Sequence, residues 1–489
     1  MSEHLDVLIV GAGLSGIGAA HHLQAQCPGR SYAILEARDA IGGTWDLFRY
    51  PGIRSDSDMF TLGYDFRPWT QARSIADGPA ILQYIRDTAT EAGIDQQIRF
   101  GHRVVNASWS SAEDRWTVTA QRADDGSTAE FQCRFLFVCS GYYRYDRGHA
   151  PDFPGQERFT GTIVHPQFWS EDIDYAGKRV VVIGSGATAV TLVPALAAGG
   201  AQHVTMLQRS PSYILALPGR DPIADVLRRI LPARAAYSIV RWKNVLLSTL
   251  LYQACRRAPR LMRRLLRAGV QQQLPGWDLD PDFVPRYDPW DQRLCLVPDA
   301  DLFHALRDGH AAVVTGEVAE FTPSGILLRS GVELPADLVV TATGLELLAL
   351  GGAEFTVDGE TVELSGTLSY KGTMFSGIPN LAAAIGYTNA SWTLKADLTA
   401  EYVCRLLNHM ADHGATRCVP RNRDPAMRTE PFLTLSAAYV ERSIGQFPRQ
   451  GTEAPWRLNQ NYLRDVAALR WGRINDDVLE FAPAPANSP

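Results

Sequence analysis

The stretch DVLIVGAGLSGIGAAHHL, residues 6–23, determines the fold class of this chain. A short apolar strand is followed by a turn that carries Gly11, Gly13, Ser15 and Gly16, and an alanine-rich segment with helical spacing continues from the turn. Strand, glycine turn and helix in this order form a dinucleotide-binding βαβ unit, in which a pyrophosphate meets the helix N-terminus. The pattern therefore predicts an α/β fold with a Rossmann-like nucleotide-binding domain.

A second apolar strand, YAILEA at residues 32–37, carries Glu36 near its end. This residue lies about 20 positions after Gly16, where an acidic side chain accepts hydrogen bonds from an adenosine ribose. Glu36 is therefore predicted to bind the cofactor of the first unit.

The stretch KRVVVIGSGATAVTLVPAL, residues 178–196, repeats the strand, turn and helix, with Ala189 in place of the third glycine. Arg209 follows the next strand, where the first unit has Glu36. A guanidinium at that place suits a 2′-phosphate, so we predict NADPH at the second site and FAD at the first, the alternative for Arg209 being a solvated charge. The predicted contacts of the second turn are Gly184, Ser185, Gly186, Ala187 and Thr188.

The order of the segments predicts that the second nucleotide-binding domain is inserted into the first. Short alternating runs between residues 98 and 139 predict a strand meander, and DLVVTATG at residues 337–344 is expected to return the chain to the FAD domain. The predicted boundaries are 1–145 for the first part of the FAD domain, 146–336 for the NADPH domain with a helical insertion at about 218–290, and 337–489 for the second part of the FAD domain and the C-terminal region.

Composition excludes several classes of function. The chain has 47 basic and 53 acidic residues, so its net charge of −6 gives no general attraction for nucleic acid. Seven cysteines without CxxC spacing predict reduced thiols in the cytoplasm, and no metal ligands are predicted. No apolar run reaches the roughly 18 residues typical of a membrane span.

Residues 224–274 form a predicted helical segment with many arginines and no acid between Arg228 and Arg267. Such a basic amphipathic stretch is typical of peripheral contact with an anionic membrane surface. The other interpretation, which we favour at this point, is a solvated helical lid on its own domain.

The linker FTGTIVHPQFW, residues 159–169, joins the two units and contains Phe159, Gly161, His165 and Trp169. An imidazole can hydrogen-bond on two sides, so His165 is expected to fix the linker rather than to act in acid–base catalysis. The two aromatic residues are expected to anchor the linker by packing.

A second signature, GGTWDLFRYPGIRSD, occupies residues 42–56. With both nucleotide turns, the FxGxxxHxxxW linker and the TATG that ends at Gly344, the chain resembles the class B flavin monooxygenases of the type I Baeyer-Villiger kind. The sequences of residues 42–58, 290–299 and 386–397 are similar to those of the ethionamide-activating subgroup. The resemblance implies that Gly43, Thr44, Trp45 and Gly344 also contact cofactor.

The resemblance implies an enzyme in which NADPH reduces FAD and dioxygen adds at flavin C4a. The resulting peroxide converts ketones to esters or lactones, or oxidises thioethers or thioamides at sulfur. Arg293 matches the family's active-site arginine and Asp56 the acid that pairs with it, although a purely structural salt bridge is the alternative. Many relatives have Lys where this chain has Gln292, which places more of the expected NADPH preference on Arg209.

Two other functions are compatible with the nucleotide fingerprints. One is a flavin monooxygenase that oxygenates nitrogen or sulfur without ketone activity. The other is a nucleotide-sensing flavoprotein without turnover, against which the presence of Arg293 and Asp56 argues.

Overall fold

The computed structural model describes residues 3–483, which form two nucleotide-binding sheets and a helical segment packed against both. The helices are α1 (Leu14–Gln26), α2 (Thr44–Leu47), α3 (Met59–Leu62), α4 (Gly78–Glu91), α5 (Ala187–Ala198), α6 (Pro222–Ile230), α7 (Ala233–Arg257), α8 (Pro259–Gln273), α9 (Asp301–Arg307), α10 (Trp392–Asp412), α11 (Ala438–Ser443) and α12 (Tyr462–Asp465).

The strands are β1 (Glu3–Val10), β2 (Tyr32–Leu35), β3 (Ile98–Arg99), β4 (His102–Ser110), β5 (Arg115–Arg122), β6 (Thr128–Val138), β7 (Thr162–Val164), β8 (Arg179–Ile183), β9 (His203–Gln208), β10 (Ile214–Leu217), β11 (Cys295–Pro298), β12 (Ala311–Thr315), β13 (Val318–Thr322), β14 (Gly325–Leu328), β15 (Glu333–Pro335), β16 (Leu338–Thr341), β17 (Glu354–Val357), β18 (Glu360–Thr361), β19 (Ser369–Tyr370), β20 (Met374–Phe375), β21 (Leu381–Ala383), β22 (Ala415–Pro420), β23 (Thr429–Pro431), β24 (Arg449–Gly451) and β25 (Leu479–Pro483).

The first sheet has β1 near its centre, paired in parallel with β2 on one side and with β6 on the other. Its strand order is β18-β17-β4-β5-β6-β1-β2-β3, and β21 also pairs with β6. Helix α1 follows the first glycine turn and buries Ile17 and Ala20 in the core beneath this sheet. Residues of α10 belong to the same core. The predicted strand, turn and helix therefore form at the predicted place.

The predicted strand meander is present as β4, β5 and β6, which pair antiparallel in sequence order. Trp109 and Trp116 face each other across β4 and β5 and are almost fully buried, with ring centroids 5.6 Å apart. This cross-strand aromatic pair gives the meander a hydrophobic core on the side of the sheet that is opposite to α1.

The second sheet contains only parallel pairs, in the order β12-β9-β8-β16-β7. Its members lie between residues 162 and 341, whereas the chain before and after them pairs in the first sheet. The second unit is therefore inserted into the first.

One predicted element belongs to the other sheet. The strand of the DLVVTATG segment, β16, pairs with β8 and β7, so the prediction that it returns the chain to the FAD domain is wrong. Its four residues are all buried, as expected for a central parallel strand, and such an apolar run fits either sheet equally well. The chain rejoins the first sheet only at β17, which pairs with β4.

Three helices, α6 to α8, fill residues 222–273 inside the predicted insertion. Helix α7 buries Tyr237, Val240 and Val245 in the core of the first unit, and its Arg241 donates hydrogen bonds to the carbonyls of Phe60 and Gly63. Helix α8 instead buries Val270 in the core of the second unit. The helical segment thus bridges the two units. Within residues 3–483 none of the helices is long and apolar enough to cross a membrane.

Candidate active site

A cavity of about 620 Å³ lies at the carboxyl ends of β1, β2, β6 and β16, where parallel sheets position ligands. It reaches from the first glycine turn to the start of α5. The predicted site residues that line it are Gly11, Gly13, Ser15, Glu36, Gly43, Thr44, Trp45, Asp56, His165, Ala187, Thr188, Arg293 and Gly344.

Other predicted residues lie behind the cavity or beside it. Gly16 supports the first turn from below, because a Cβ at this position would come 1.8 Å from the carbonyl oxygen of Gly11. Gly184, Ser185 and Gly186 form the turn before α5, and Arg209 follows β9. These four residues are outside the cavity lining.

Glu36 is held at the end of β2 by two backbone donors. Its Oε2 accepts from the amide of Ala12 at 2.7 Å and its Oε1 from the amide of Arg38 at 2.9 Å. The side chain is buried, and burial raises its pKa while these donors oppose the change. A carboxylate oxygen has more than one lone pair, so Glu36 remains able to accept from ribose hydroxyls and fits the adenosine end of FAD.

The flavin side of the same turn is ordered by side chains from distant parts of the chain. The indole of Trp392 donates to Ser15 Oγ at 2.7 Å, and the Tyr145 hydroxyl lies 3.2 Å from Thr44 Oγ1. Trp392 is the first residue of α10 and lines the cavity. The first site therefore has preformed contacts along the length expected for FAD.

The second turn leaves its phosphate side open. A Cβ placed on Gly186 would meet no heavy atom within 4 Å, so a pyrophosphate can approach the backbone. Gln208 is buried and donates to Asp282 O and Thr315 Oγ1. Arg209 is exposed, and no carboxylate of residues 3–483 lies within 4 Å of it. Its guanidinium is thus exposed, and its contact with a 2′-phosphate stays a prediction.

His165 hydrogen-bonds backbone on both sides of its ring. Nε2 donates to Gly344 O at 3.1 Å, and Nδ1 accepts from the Gln167 amide at 3.2 Å. Burial lowers the pKa of this histidine, which favours the neutral form that the two bonds require. This geometry agrees with the linker role.

The other linker residues are packed as the hinge hypothesis expects. Phe159 and Trp169 belong to two different hydrophobic clusters of the second unit, with ring partners Phe321 and Tyr175. Gly161 approaches the backbone closely, because a Cβ there would lie 2.5 Å from Asp337 O. The linker is thus fixed at both ends by apolar contacts.

Arg293 and Asp56 meet at the cavity wall although 237 positions separate them in the sequence. Arg293 Nη1 donates to Asp56 Oδ2 at 3.4 Å, while Nε and Nη2 donate to the carbonyls of Thr388 and Tyr387 at 3.0 and 3.2 Å. Burial by itself lowers the pKa of Arg293, but Tyr142 and Asp56 more than offset it, so the pKa is raised and the guanidinium remains charged. About a third of the side chain is exposed, towards the cavity.

Sequence reasoning missed several cavity residues. Tyr142 follows β6 and packs edge-on against Trp392, with ring centroids 4.9 Å apart. Arg54 lines the cavity and pairs with Asp301 at the start of α9. Burial raises the pKa of Tyr50, also in the lining, to about 12. The sequence gives only two signals for these residues. Tyr142 follows a predicted strand, and Tyr50 and Arg54 lie within the signature at residues 42–56.

Comparison with known proteins agrees with this geometry. Residues 9–73 match the model of an NAD(P)-binding Rossmann-like domain, and residues 68–223 match that of the flavin-binding monooxygenase-like family. The FAD-containing monooxygenase EthA of Mycobacterium tuberculosis is 58% identical over 487 residues, which cover 99% of each chain. The EthA of Mycolicibacterium smegmatis is 54% identical, with 98% of each chain covered. The chain belongs to the FAD-containing monooxygenases.

Solved structures of other monooxygenases share the fold of this chain. An oxidised steroid monooxygenase bound to NADP aligns with a TM-score of 0.75 at 22% identity, covering 98% of this chain and 100% of the other. Cyclohexanone monooxygenase from Rhodococcus sp. Phi1 bound to NADP+ aligns at 0.70 with 21% identity, covering 86% and 87%. This FAD-containing monooxygenase therefore shares its fold with two monooxygenases that were solved with NADP bound.

Proposed function

We propose that this monooxygenase performs Baeyer-Villiger oxidation, converting ketones to esters or lactones, and that it also oxygenates thioethers or thioamides at sulfur. The observation that carries the proposal is the Arg293–Asp56 pair on the wall of the cavity that also contains the first nucleotide turn. Dioxygen is the oxidant, and the substrate is a small molecule that fits beside the flavin.

FAD, once reduced by NADPH, supplies the activation of dioxygen and the transfer of one oxygen atom. The chain's own residues bind the cofactor, exclude water and hold charge. Glu36 and the first turn fit the adenosine and pyrophosphate, while Trp392 and Tyr142 close the apolar side of the cavity. The site is therefore suited to an oxygen-transfer reaction that must be protected from bulk solvent.

Arg293 provides a fixed positive charge where negative charge develops on oxygen. The two carbonyl acceptors, Thr388 and Tyr387, orient the guanidinium without neutralising it. At a distance of about 4 Å and an effective dielectric of about 20, a unit charge pair gains about 4 kcal/mol. At about 1.36 kcal/mol for each factor of ten, this corresponds to nearly three decades in rate.

Asp56 is a positioning residue in this proposal. At 3.4 Å from Nη1 its carboxylate forms a long contact with Arg293, so it can orient the guanidinium while leaving other donors available to reactants. His165 bonds backbone through both nitrogens and has no spare donor for acid–base work, which leaves charge stabilisation to Arg293.

The test compares Arg293→Ala and Arg293→Lys in FAD-loaded enzyme with a panel of ketones and thioethers. Attack on a ketone needs an anionic oxygen nucleophile, whereas oxidation of sulfur needs a neutral electrophilic one. We therefore expect Arg293→Ala to lower ester formation about 1,000-fold and sulfoxide formation less. The lysine variant keeps the charge without the planar fork, so its rate of ester formation should lie between those of the wild type and Arg293→Ala.

The control is Arg329→Ala, which removes an exposed arginine of the second unit outside the cavity. Flavin content should equal that of the wild type in all three variants. Ester formation by Arg293→Ala at the wild-type rate would remove Arg293 from the mechanism. A wild-type enzyme that oxidises thioethers but no ketone would instead be an N- or S-oxygenating monooxygenase.

A further inference from the structure

The outer face of the helical segment α6–α8 carries an unusual concentration of exposed apolar side chains. Among the described residues, eleven of the seventeen exposed large hydrophobic side chains lie between positions 223 and 277. Ile230 is 69% exposed and Leu250 is 64% exposed. A concentration of exposed apolar side chains of this kind is typical of an interaction site rather than of an ordinary solvated lid.

These side chains follow helical spacing on each helix. Helix α7 exposes Ile239, Trp242, Leu246 and Leu250, at steps of three, four and four residues. Its opposite side, including Val240 and Val245, is buried against the first unit. The helix therefore has two apolar faces, and only one of them is used inside the chain.

The two flanking helices repeat the arrangement. Helix α6 exposes Ile223, Val226 and Ile230, and α8 exposes Leu261 and Leu265. Both helices pack against α7. We call these exposed residues of α6, α7 and α8 the outer face.

Positive charge accompanies the apolar rows. Residues 222–273 contain eleven basic side chains and one acidic side chain, in a protein whose net charge is −6. Arg256 and Arg263 are paired with Asp291 and Asp288, which lie outside the helices. Arg257, Arg260 and Arg264 are exposed, and none has a carboxylate within 4 Å in the part of the chain that the structure describes.

These exposed arginines are neighbours of the apolar row of α8. Leu261 lies three residues before Arg264 within α8, which places these two side chains on one side of the helix, and Arg257 is the last residue of α7. Unpaired cations beside large aliphatic side chains fit an anionic lipid surface, into which the apolar side chains insert while the guanidinium groups contact headgroups.

We propose that the outer face docks this monooxygenase on an anionic phospholipid bilayer. The helices lie in the interfacial plane, because none of the described ones is long and apolar enough to span the membrane. A second copy of the chain fits the face less well, because a two-fold interface brings the same patch together and would oppose arginine to arginine. The outer face contains none of the cavity residues, so the docking is separate from the catalytic function.

The experiment measures flotation of the full-length, FAD-loaded protein with phosphatidylglycerol–phosphatidylcholine vesicles and with phosphatidylcholine vesicles. The wild type should bind the anionic vesicles more tightly, and added salt should weaken this binding. Arg260→Gln/Arg264→Gln should lower the partition coefficient about 30-fold, since one basic side chain near such a surface contributes about fivefold. Leu246→Ser/Leu250→Ser should also lower it, while Arg260→Lys/Arg264→Lys should bind as the wild type does.

The matched control is Arg122→Gln/Val332→Ser, which changes one exposed arginine and one exposed apolar residue outside the helical segment and should leave binding unchanged. All variants should retain FAD and the rate of NADPH oxidation with a water-soluble substrate. Wild-type protein that does not float with anionic vesicles, or arginine and leucine variants that float as well as the wild type, would overturn the proposal. Sedimentation velocity without lipid is the second arm: a wild-type dimer that the leucine variants dissociate assigns the face to a second copy instead.

Discussion

The two glycine turns share one sequence design but have different surroundings. The first turn lines the cavity, and the acidic residue of its second strand, Glu36, is buried and fixed by two backbone amides. The second turn lies beside that cavity, and its equivalent residue, Arg209, is exposed. The same βαβ device is thus followed by a buried acid in one unit and by an exposed arginine in the other.

The difference matches what each cofactor must do. FAD is regenerated in every cycle and can remain bound, which suits a buried site with preformed partners such as Trp392 and Ser15. NADPH is consumed and has to leave, which suits an open turn and an exposed arginine that binds a phosphate through charge and geometry. The residue after the second strand of each unit, buried Glu36 or exposed Arg209, distinguishes the two sites.

The largest expected effect comes from the third position of each fingerprint. Gly16→Ala places a Cβ 1.8 Å from Gly11 O, so the first turn must move, whereas Ala189 already occupies the equivalent position of the second turn. We expect Gly16→Ala to cost about 3 kcal/mol, the upper end of typical overpacking, and to abolish FAD binding. Flavin absorbance per protein and the thermal midpoint measure both effects.

The matched control for this prediction is Ala189→Gly. It removes a buried methyl group from α5 without a steric conflict and should cost about 1 kcal/mol with FAD retained. Equal loss of flavin in both variants would mean that the two turns have the same tolerance, and the contrast between them would not hold.

The second prediction concerns the exposed arginine of the open turn. Arg209→Gln should raise the KM for NADPH roughly 10- to 100-fold, because a hydrogen bond to a charged group is worth about 1.5–3 kcal/mol. The KM for NADH and the kcat should change little, since NADH has no 2′-phosphate. Steady-state kinetics with NADPH and with NADH measures the two KM values, and Arg329→Gln serves as an exposed control. An equal rise for NADH would show that Arg209 does not recognise the phosphate.

Local patterns predicted the two turns, the strand meander and the helical segment because each depends on residues that are close in sequence. They misassigned β16, since a four-residue buried apolar strand fits either sheet and only its long-range partners decide. The Arg293–Asp56 pair came from a family resemblance, because no local pattern brings together residues 237 positions apart. The unpaired apolar rows of α6–α8 required the structure, since helical spacing alone does not tell which face is covered.

The smallest expected effect is in the linker between the two turns. Burial lowers the pKa of His165, so the unfolded chain binds this proton at a higher pH than the folded protein does. The stability that neutral His165 provides is therefore complete above its ordinary pKa of about 6.5 and decreases as the pH falls below that value. Protonation also removes the lone pair with which Nδ1 accepts from the Gln167 amide.

Urea unfolding at pH 7.5 and at pH 5.5 measures this effect. The wild type should lose more stability on acidification than His165→Gln, which lacks the titrating group, and the difference should be small because a single, partly exposed side chain causes it. His203→Gln, a histidine change at the start of β9, should follow the wild type. A His165→Gln variant with the acid sensitivity of the wild type would assign the linker's stability to the packing of Phe159 and Trp169 alone.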